Sequence, residues 1–485
     1  MEDLPDALIG EIVKRINSTS DLNSFSLVSK RLYNIEAQHR HLIRISCGLH
    51  PATDAIVSLA SRFPNFLKVD INYSSWKQAH GNQLDNHGLL MLGSYCPMLS
   101  DLTLSFCSDI DDSGMCYLTL CKKLLTLRLN SAARITSTGL LAVAVGCKNL
   151  SALHLINCNG INGNSEWLKY LGSNGSLEEL VVKNCKGISH YNLLLFGSGW
   201  MKLQRFMFQV RTLMRSFEFD DPAYVPNCMY RYDFYCESLK ELSLRRIVTL
   251  KEIGLRSLLG KCKSREKVCL HFVLGLTDSD MITLAQNCSN LKSISLQLEP
   301  FHCRERGGFV FRTPLTDKSL KALALRCRML QVVELTMFAC EPSYPEIGFT
   351  QEGLVLLFQS CPIHELVLCG ANIFDDEEMR ALSSAQFLET LELMDCIEIT
   401  DDGMRLLADC PSLVNLTLRQ CDDFSDVGVG EVVRSRKLDS LIVEGCSQVS
   451  LKAVQGAAKS VHYDDDYPGY GNLNRAGLMD GSVTD

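Results

Sequence analysis

The sequence predicts an α/β solenoid, because one short pattern returns along the chain at a nearly constant spacing. Cys96, Cys121 and Cys147 follow one another at intervals of 25 and 26 residues, and each stands a few residues before a leucine-rich segment. Self-similarity at a fixed period is typical of stacked units, none of which can bury its apolar face alone. With 46% apolar residues, this 485-residue chain can supply the continuous core that such stacking requires.

Each unit is predicted to contain one short strand and one helix. The strand is a Leu-x-Leu step, such as Leu127 and Leu129, whose alternation directs the two leucines to the core and the middle residue outward. The helix follows a Thr/Ser-Asp-x-Gly corner, as in residues 400–403, and Met404 and Leu407 then have the spacing of a buried helix face. A period of roughly 20–29 residues with this pattern is typical of leucine-rich repeats. We therefore expect a leucine-rich-repeat solenoid of horseshoe form.

The repeat does not extend over the whole chain. Residues 1–45 contain no Leu-x-Leu strand and are predicted to form a small helical module, and residues 46–460 are predicted to form the solenoid. Residues 461–485 are acidic, glycine-rich and poor in aliphatic side chains, which predicts a disordered tail. Loops rich in aromatic residues and arginine lengthen some repeats, and we interpret them as insertions near residues 210–235, 297–316 and 339–350.

Two apolar stripes run along the helices predicted within residues 1–45. Pro5 suits the first turn of the first helix. The stripes consist of Leu8, Ile9, Ile12 and Ile16 on the first helix and Leu22, Phe25, Val28 and Leu32 on the second. So small a module cannot bury both stripes by itself. The surplus apolar surface needs a partner protein or the first repeat.

Composition narrows the classes of partner. The formal net charge is −8, whereas binding to nucleic acid needs a basic surface, so no nucleic-acid partner is expected. The first residues lack the apolar segment of a secretion signal. Apolar runs stay well short of the roughly 18 residues of a membrane span, so we expect no membrane partner.

The 22 cysteines follow the repeat. One class ends the helix before each strand, as Cys96 and Cys410 do, and a second class follows the strand, as Cys107 and Cys421 do. Equivalent positions in a solenoid stack along its axis, and free cysteine is a small apolar residue suited to such a slot. With no CxxC pair and no secretion signal, this pattern predicts reduced thiols, no metal site, and localisation in the cytoplasm, the nucleus or both.

The N-terminal module resembles a known domain. Residues 4–12, 21–22 and 27–33 are similar to an F-box, and its combination with cysteine-containing leucine-rich repeats resembles the F-box/leucine-rich-repeat family, in particular its plant members. The resemblance implies a substrate receptor of SCF (Skp–cullin–F-box) ubiquitin ligases. Its partners would be a Skp-type adaptor and, through that adaptor, cullin and RING subunits. The adaptor-binding residues that it implies are Leu4, Pro5, Leu8, Ile9, Ile12, Leu22, Val28 and Leu32.

The outward residues of the strands are predicted to line the surface that binds the target protein. Basic residues concentrate on the strands between residues 180 and 275, and acidic residues such as Glu334 and Glu392 come later. Arginine in such a setting would form charge-assisted bonds with an acidic or phosphorylated segment. The candidate target-binding residues are Lys183, Arg205, Met207, Arg245, Lys267, His271, Arg304 and Arg306.

Other interpretations remain open. Residues 1–45 could form only a helical cap, the repeats a scaffold without a ligase, or the chain a hormone co-receptor of the same family. We expect no cofactor, although a small-molecule or inositol-phosphate-type ligand is compatible with the inner surface. We also expect no catalytic site, since Gly254–Lys261 resembles a phosphate-binding loop but has one residue too many between its glycines.

Overall fold

The structure is a computed structural model. It describes residues 4–46, 52–76, 82–161, 166–174, 176–188, 200, 202–210, 236–247, 259, 263–273, 275–298, 301–305, 308–312, 315–337, 345–346, 348–370, 374–383, 385–435 and 438–465. The chain divides into two compact units, Met1–Leu239 and Lys240–Asp485.

The first unit begins with three short helices. Ser18 and Ser29 accept hydrogen bonds from backbone N–H groups at the starts of the second and third helices, at 3.2 Å each. Ile9, Leu32 and Ile35 form a small core on which Phe25 packs. These helices are α1 (Asp6–Arg15), α2 (Thr19–Leu27) and α3 (Lys30–His39).

Strands and helices then alternate through the rest of the first unit. Its strands pair in parallel, in chain order, with their inward leucines almost fully buried. The elements are β1 (Leu42–Ile45), α4 (Ala52–Arg62), β2 (Lys68–Asn72), α5 (Asn86–Tyr95), β3 (Asp101–Ser105), α6 (Asp112–Tyr117), a 3-10 turn (Leu118–Leu120), β4 (Thr126–Asn130), α7 (Ser137–Gly146), β5 (Ala152–Ile156), α8 (Glu166–Asn174), β6 (Glu179–Lys183) and β7 (Arg205–Gln209).

The second unit has the same alternation. Its elements are β8 (Glu241–Arg245), β9 (Lys267–His271), α9 (Asp278–Asn287), β10 (Ser293–Leu298), β11 (Phe301–Glu305), β12 (Gly308–Arg312), α10 (Asp317–Arg326), β13 (Val332–Met337), β14 (Pro345–Glu346), α11 (Gln351–Ser360), β15 (Glu365–Cys369), α12 (Asp376–Ser383), β16 (Thr390–Met394), α13 (Asp401–Leu407), β17 (Asn415–Arg419), α14 (Asp426–Ser435), β18 (Leu438–Glu444), α15 (Leu451–Val454) and β19 (Ala458–Asp464).

Three strands of the second unit do not belong to its parallel sheet. Strands β8, β9, β10, β13 and β15 to β19 pair in parallel, each with the next in that order. The remaining strands form a small separate sheet, in which β11 is antiparallel to β12 and β12 is parallel to β14. The predicted α/β repeat architecture is thus confirmed in each unit.

A tight corner follows most strands of the parallel sheets. After β3–β6, β8, β9 and β15–β18, the first residue has a left-handed backbone, with φ between 51° and 58° where it is not glycine. This conformation turns the chain toward the helix side and leaves the N–H of that residue free to bond the end of the next strand. Phe106 N–H, for example, donates to the Asn130 carbonyl at 2.8 Å. At Gly370 an added Cβ would lie 2.3 Å from the Met337 carbonyl oxygen, so only glycine fits that corner.

The Thr/Ser-Asp-x-Gly pattern links each repeat to the next. The Asp401 carboxylate accepts hydrogen bonds from the Ser425 N–H and hydroxyl and from the Gly428 N–H, at 2.7–2.9 Å. A Cβ on Gly428 would lie 2.5 Å from that carboxylate, so the glycine provides the space for it. We call this link between the aspartate of one repeat and the helix start of the next the rung. The same rung joins Asp112 to Thr136 and Asp376 to Thr400.

Buried thiols also join neighbouring repeats. Sixteen cysteines whose side chains the structure describes are buried and free of disulfide bonds, and Cys116 is exposed. The Cys158 thiol donates to the Leu129 carbonyl of the preceding strand at 3.3 Å, and the Cys327 thiol donates to the Cys288 carbonyl at 3.6 Å. Cysteine therefore combines a small apolar volume with a weak donor that satisfies a buried carbonyl.

The last strand passes beyond the predicted end of the solenoid. Strand β19 pairs with β18 as far as Asp464, and the Tyr463 hydroxyl donates to the Val449 carbonyl at 3.0 Å. Pairing with the preceding repeat thus orders residues whose composition alone predicts disorder. Residues 466–485 of the predicted tail, and residues 211–235 of the predicted insertion at 210–235, lie outside the described residues. Within the described part of the chain, helices are too short or too polar to cross a bilayer.

Candidate functional site

The N-terminal helices carry an exposed apolar surface. Leu4, Leu8, Ile12 and Val28 are between 36% and 71% exposed, although all four are large apolar side chains. Leu8 and Ile12 are four residues apart and share one side of α1, and Leu4 lies just before that helix. We call these four residues the F-box apolar face.

Other predicted adaptor-binding residues support this surface from behind. Ile9, Leu22 and Leu32 are buried within the helical module, and Pro5 is exposed beside Leu4. The predicted set therefore divides into residues that can touch a partner and residues that hold the helices together.

An ion pair orients the F-box apolar face. Arg31, at the start of α3, donates to the Asp6 carboxylate at 2.6 and 2.8 Å and to the Leu4 carbonyl at 2.5 Å. These bonds hold the start of α1 against the start of α3, and Val28 lies just before α3. The face thus combines two residues of α1 with one residue just before α1 and one just before α3.

A buried charge cluster joins the helical module to the first repeat. Glu36 on α3 is fully buried, and its carboxylate contacts Arg40 at 2.5 Å and Arg62 of α4 at 3.2 Å. Burial raises the pKa of Glu36 and lowers the pKa of Arg40. The guanidinium of Arg62 also stacks on the rings of Tyr33 and Phe63, at 4.3 and 4.7 Å. This cluster, which the sequence motifs did not reveal, fixes the helices on the repeats.

The outward residues of the strands, those between the buried leucines, form what we call the inner strand face. On this face of the first unit, basic residues lie next to acidic ones. Arg205 lies 3.0 Å from the Glu179 carboxylate, which also lies 3.2 Å from His154. The adjacent His154 side chain is the largest cause that holds the pKa of Glu179 below its ordinary value. Lys183 and Met207 lie on the same two strands as Glu179 and Arg205. The register of the repeats places Glu179 opposite Arg205, so aligning the repeats could have predicted this pair.

In the second unit, His271 is not an open binding group. It is buried, and its Nε2 lies 2.6 Å from the Ser295 hydroxyl, which donates to Glu334 at 2.6 Å. Burial, followed by the charge of Arg245, lowers the pKa of His271 to about 3, so the ring is neutral at pH 7. His271 therefore belongs to a buried chain of hydrogen bonds rather than to the basic surface.

Two polar atoms beside this chain of hydrogen bonds have no hydrogen-bond partner among the described residues. They are the Ser243 hydroxyl and the Arg245 Nε, both buried on strand β8. Lys267, on the neighbouring strand, is exposed. Lys267 thus offers an accessible ammonium group, whereas the two buried donors are enclosed by protein atoms.

The remaining predicted residues fall at or beyond the limit of the described structure. Arg304 lies on β11, paired with Phe309 of β12, and Arg306 lies outside the described residues. Of the acidic residues late in the chain, Glu392 contacts Arg419, which also lies 2.6 Å from Glu444, whereas Glu334 bonds Ser295. Burial raises the pKa of Glu392. Among the described residues there is no cluster of metal-ligating side chains.

Comparison with known proteins identifies the N-terminal module. A family model described as the F-box domain matches residues 1–43. Coronatine-insensitive protein homolog 2 of Oryza sativa, from subspecies indica and japonica alike, is 23% identical over 396 residues, which cover 74% of this chain and 62% of that protein. F-box/LRR-repeat protein 12 of Arabidopsis thaliana is 28% identical over 157 residues, 32% of this chain and 35% of that protein. The chain thus spans less than two thirds of the length of these curated relatives.

Two solved structures are similar to this chain at low sequence identity. The crystal structure of the Rad7 and Elc1 complex in yeast includes a chain that is 19% identical, with a TM-score of 0.47 and coverage of 93% of this chain and 96% of that one. An internalin from Listeria monocytogenes is 16% identical, with a TM-score of 0.45 and coverage of 87% and 93%.

The sequence and the fold together define the class of protein. The chain carries an F-box domain at its N-terminus, followed by α/β repeats. Its relatives include plant F-box/LRR proteins, as the resemblance predicted.

Proposed function

We propose that this chain is the substrate-receptor subunit of an SCF-type ubiquitin ligase. The observation that carries the proposal is the F-box apolar face, four exposed apolar side chains on a domain that matches the F-box family. A Skp-type adaptor would bury this face and connect the chain to cullin and RING subunits. The chain itself would perform no chemistry.

The proposed mechanism is proximity. A target held on the repeats and a ubiquitin-charged enzyme held through the adaptor would meet at high effective concentration. Ubiquitin transfer by proximity is most effective when the F-box apolar face keeps a fixed position relative to the first repeats. The Glu36–Arg40–Arg62 cluster supports this role, because loss of one partner of a buried ion pair costs about 3–5 kcal/mol.

For the target we propose an acidic or phosphorylated segment. Arg205 is exposed on a strand of the first unit, and Lys267 is exposed on a strand of the second. Guanidinium groups form charge-assisted, often bidentate bonds with carboxylates and phosphates. The buried cysteines of the described residues carry free thiols rather than disulfides, which supports action in the cytoplasm or nucleus.

Adaptor binding tests the proposal. We expect Leu8→Asp to weaken binding of a purified Skp-type adaptor by about 30-fold or more, because a buried charge replaces an apolar anchor. Leu451→Asp is the matched control, since Leu451 is 55% exposed and Leu8 is 53% exposed. Equal affinity of wild type and Leu8→Asp for the adaptor would leave only the alternative of a repeat scaffold without a ligase.

A further inference from the structure

One edge of the first unit departs from the pattern of its own repeats. The residue just before each strand is polar in most repeats, as in Ser100, Ser151, Glu178 and Gln204. Before β4 it is Leu125. These residues stack directly: the Leu125 N–H donates to the Ser100 carbonyl, and the Ser151 N–H donates to the Leu125 carbonyl, at 2.8 Å each. A leucine therefore stands where its neighbours carry serine.

Further exposed apolar residues gather around Leu125. Leu67 lies before β2 in the same stack, with its carbonyl bonded to the Ser100 N–H at 2.8 Å. Tyr95 and Leu120 occupy equivalent positions, each directly before a cysteine, and Leu120 lies against the end of α5, since a Cβ on Gly93 would be 3.0 Å from its Cβ. With Met98, these apolar side chains are between 37% and 56% exposed.

Lysines border these apolar residues. The Lys123 ammonium lies 3.0 Å from the Met98 sulfur, and Lys122 and Lys148 are exposed at the same edge. Residues 94–100, 119–125 and 145–151, which form this edge, contain three lysines and no carboxylate. That local excess stands out in a chain whose net charge is −8. We call Leu67, Tyr95, Met98, Leu120 and Leu125, with Lys122, Lys123 and Lys148, the lysine-rimmed patch.

We infer that the lysine-rimmed patch docks an acidic amphipathic helix of a partner protein. Charge complementarity selects the class, because the cationic rim attracts Glu- and Asp-rich segments and repels basic ones. The dimensions fit: Leu67 and Leu125 are two strands apart, or about 10 Å, which is the length of about two helical turns. A helix with leucines at i, i+3, i+4 and i+7 presents one apolar stripe of that length. The site is separate from the F-box apolar face and from the inner strand face.

A designed peptide provides the direct test. The probe is a fluorescent 14-residue peptide of leucine and glutamate, with its leucines at i, i+3, i+4 and i+7. We expect it to bind the full chain and to bind Leu120→Ser with Leu125→Ser at least tenfold more weakly. Leu125→Ser copies the residue of both neighbouring repeats, so that variant should fold. Lys122→Glu with Lys123→Glu should weaken binding as strongly, and a leucine–lysine peptide of the same pattern should bind at least tenfold more weakly than the probe.

Matched variants separate this site from the others. Val427→Ser with Leu451→Ser removes apolar side chains of similar exposure in the second unit and should leave binding unchanged. Leu8→Asp should also leave it unchanged, and loss of binding there would place the probe on the F-box apolar face and overturn the inference. No binding to wild type, or equal binding to the patch variants, would overturn it as well. Self-association of wild type that the patch variants lose would replace the acidic helix by a second copy of the chain.

Discussion

At the scale of single residues, the cysteines are buried packing groups. Burial raises the pKa of Cys96 and Cys121 to about 12 and that of Cys147 to about 11, so these thiols stay protonated at neutral pH. A thiol without thiolate character reacts slowly with alkylating reagents and oxidants. The sequence predicted this role from spacing alone, because residues that stack at one period share one environment.

Site-resolved alkylation checks the role of the cysteines. We expect Cys116 to react at pH 8 in the native protein and the sixteen buried cysteines among the described residues to be protected. After denaturation without reductant, all 22 cysteines should be alkylated. Mass spectrometry reports both results, and recovery of many cysteines as disulfides would contradict the assignment.

His271 should make the second unit sensitive to acid. Its pKa is about 3 in the folded protein and about 6.5 when unfolded, so the unfolded chain binds the proton first and stability falls as the pH drops below 6.5. Between pH 7 and pH 5 the loss from this group should be about 2 kcal/mol. We expect His271→Gln to lose less stability over that interval in urea unfolding. An equal loss in both proteins would contradict the buried, neutral ring.

At the scale of the elements, the structure of the corner between repeats explains why the Thr/Ser-Asp-x-Gly pattern recurs. The carboxylate of one repeat bonds the first residues of the next helix, and glycine makes room for it, as Asp401 and Gly428 illustrate. The sequence indicated the motif and the helix that follows it. It could not reveal that the aspartate acts on the next repeat, because that contact joins residues about 25 positions apart.

Two glycines of helix α14 give a matched comparison. In Gly428→Ala the new Cβ would lie 2.5 Å from the Asp401 carboxylate, and we expect a loss of about 1–3 kcal/mol. In Gly430→Ala the nearest atom would be 3.8 Å away, and the higher helix propensity of alanine should add about 0.5–1 kcal/mol. Chemical denaturation measures both changes. A similar effect of the two substitutions would show that the rung has no steric requirement.

At the scale of the whole molecule, the sequence predicted the N-terminal helical module and the α/β repeats. It did not predict which of their residues are exposed. The helical stripe contained both Leu8 and Ile9, and only the packing of α1 on α3 shows that Leu8 is exposed and Ile9 buried. Alternation along β9 placed His271 outward, yet hydrogen bonds from neighbouring strands draw it into a buried chain. The burial of a residue depends on the segments that pack against it. The sequence of a single strand or helix does not reveal those segments.

Contacts between distant segments were the hardest to foresee. Glu36 and Arg40 form an i, i+4 pair that a sequence can suggest, but Arg62 joins them from another helix. The lysine-rimmed patch likewise emerges only when successive repeats are stacked. The match of residues 1–43 to the F-box family, in contrast, was accessible from local motifs.

The most direct test of the proposed receptor is affinity purification of the chain from cells treated with and without a proteasome inhibitor. We expect wild type to retain a Skp-type adaptor with cullin and RING subunits in both conditions, and further proteins to accumulate with the inhibitor. Leu8→Asp should lose the ligase subunits and retain those further proteins without the inhibitor, because they would no longer be degraded. Leu451→Asp should behave as wild type. Recovery of wild type without any Skp-type adaptor, or with an adaptor that Leu8→Asp also retains, would contradict the account.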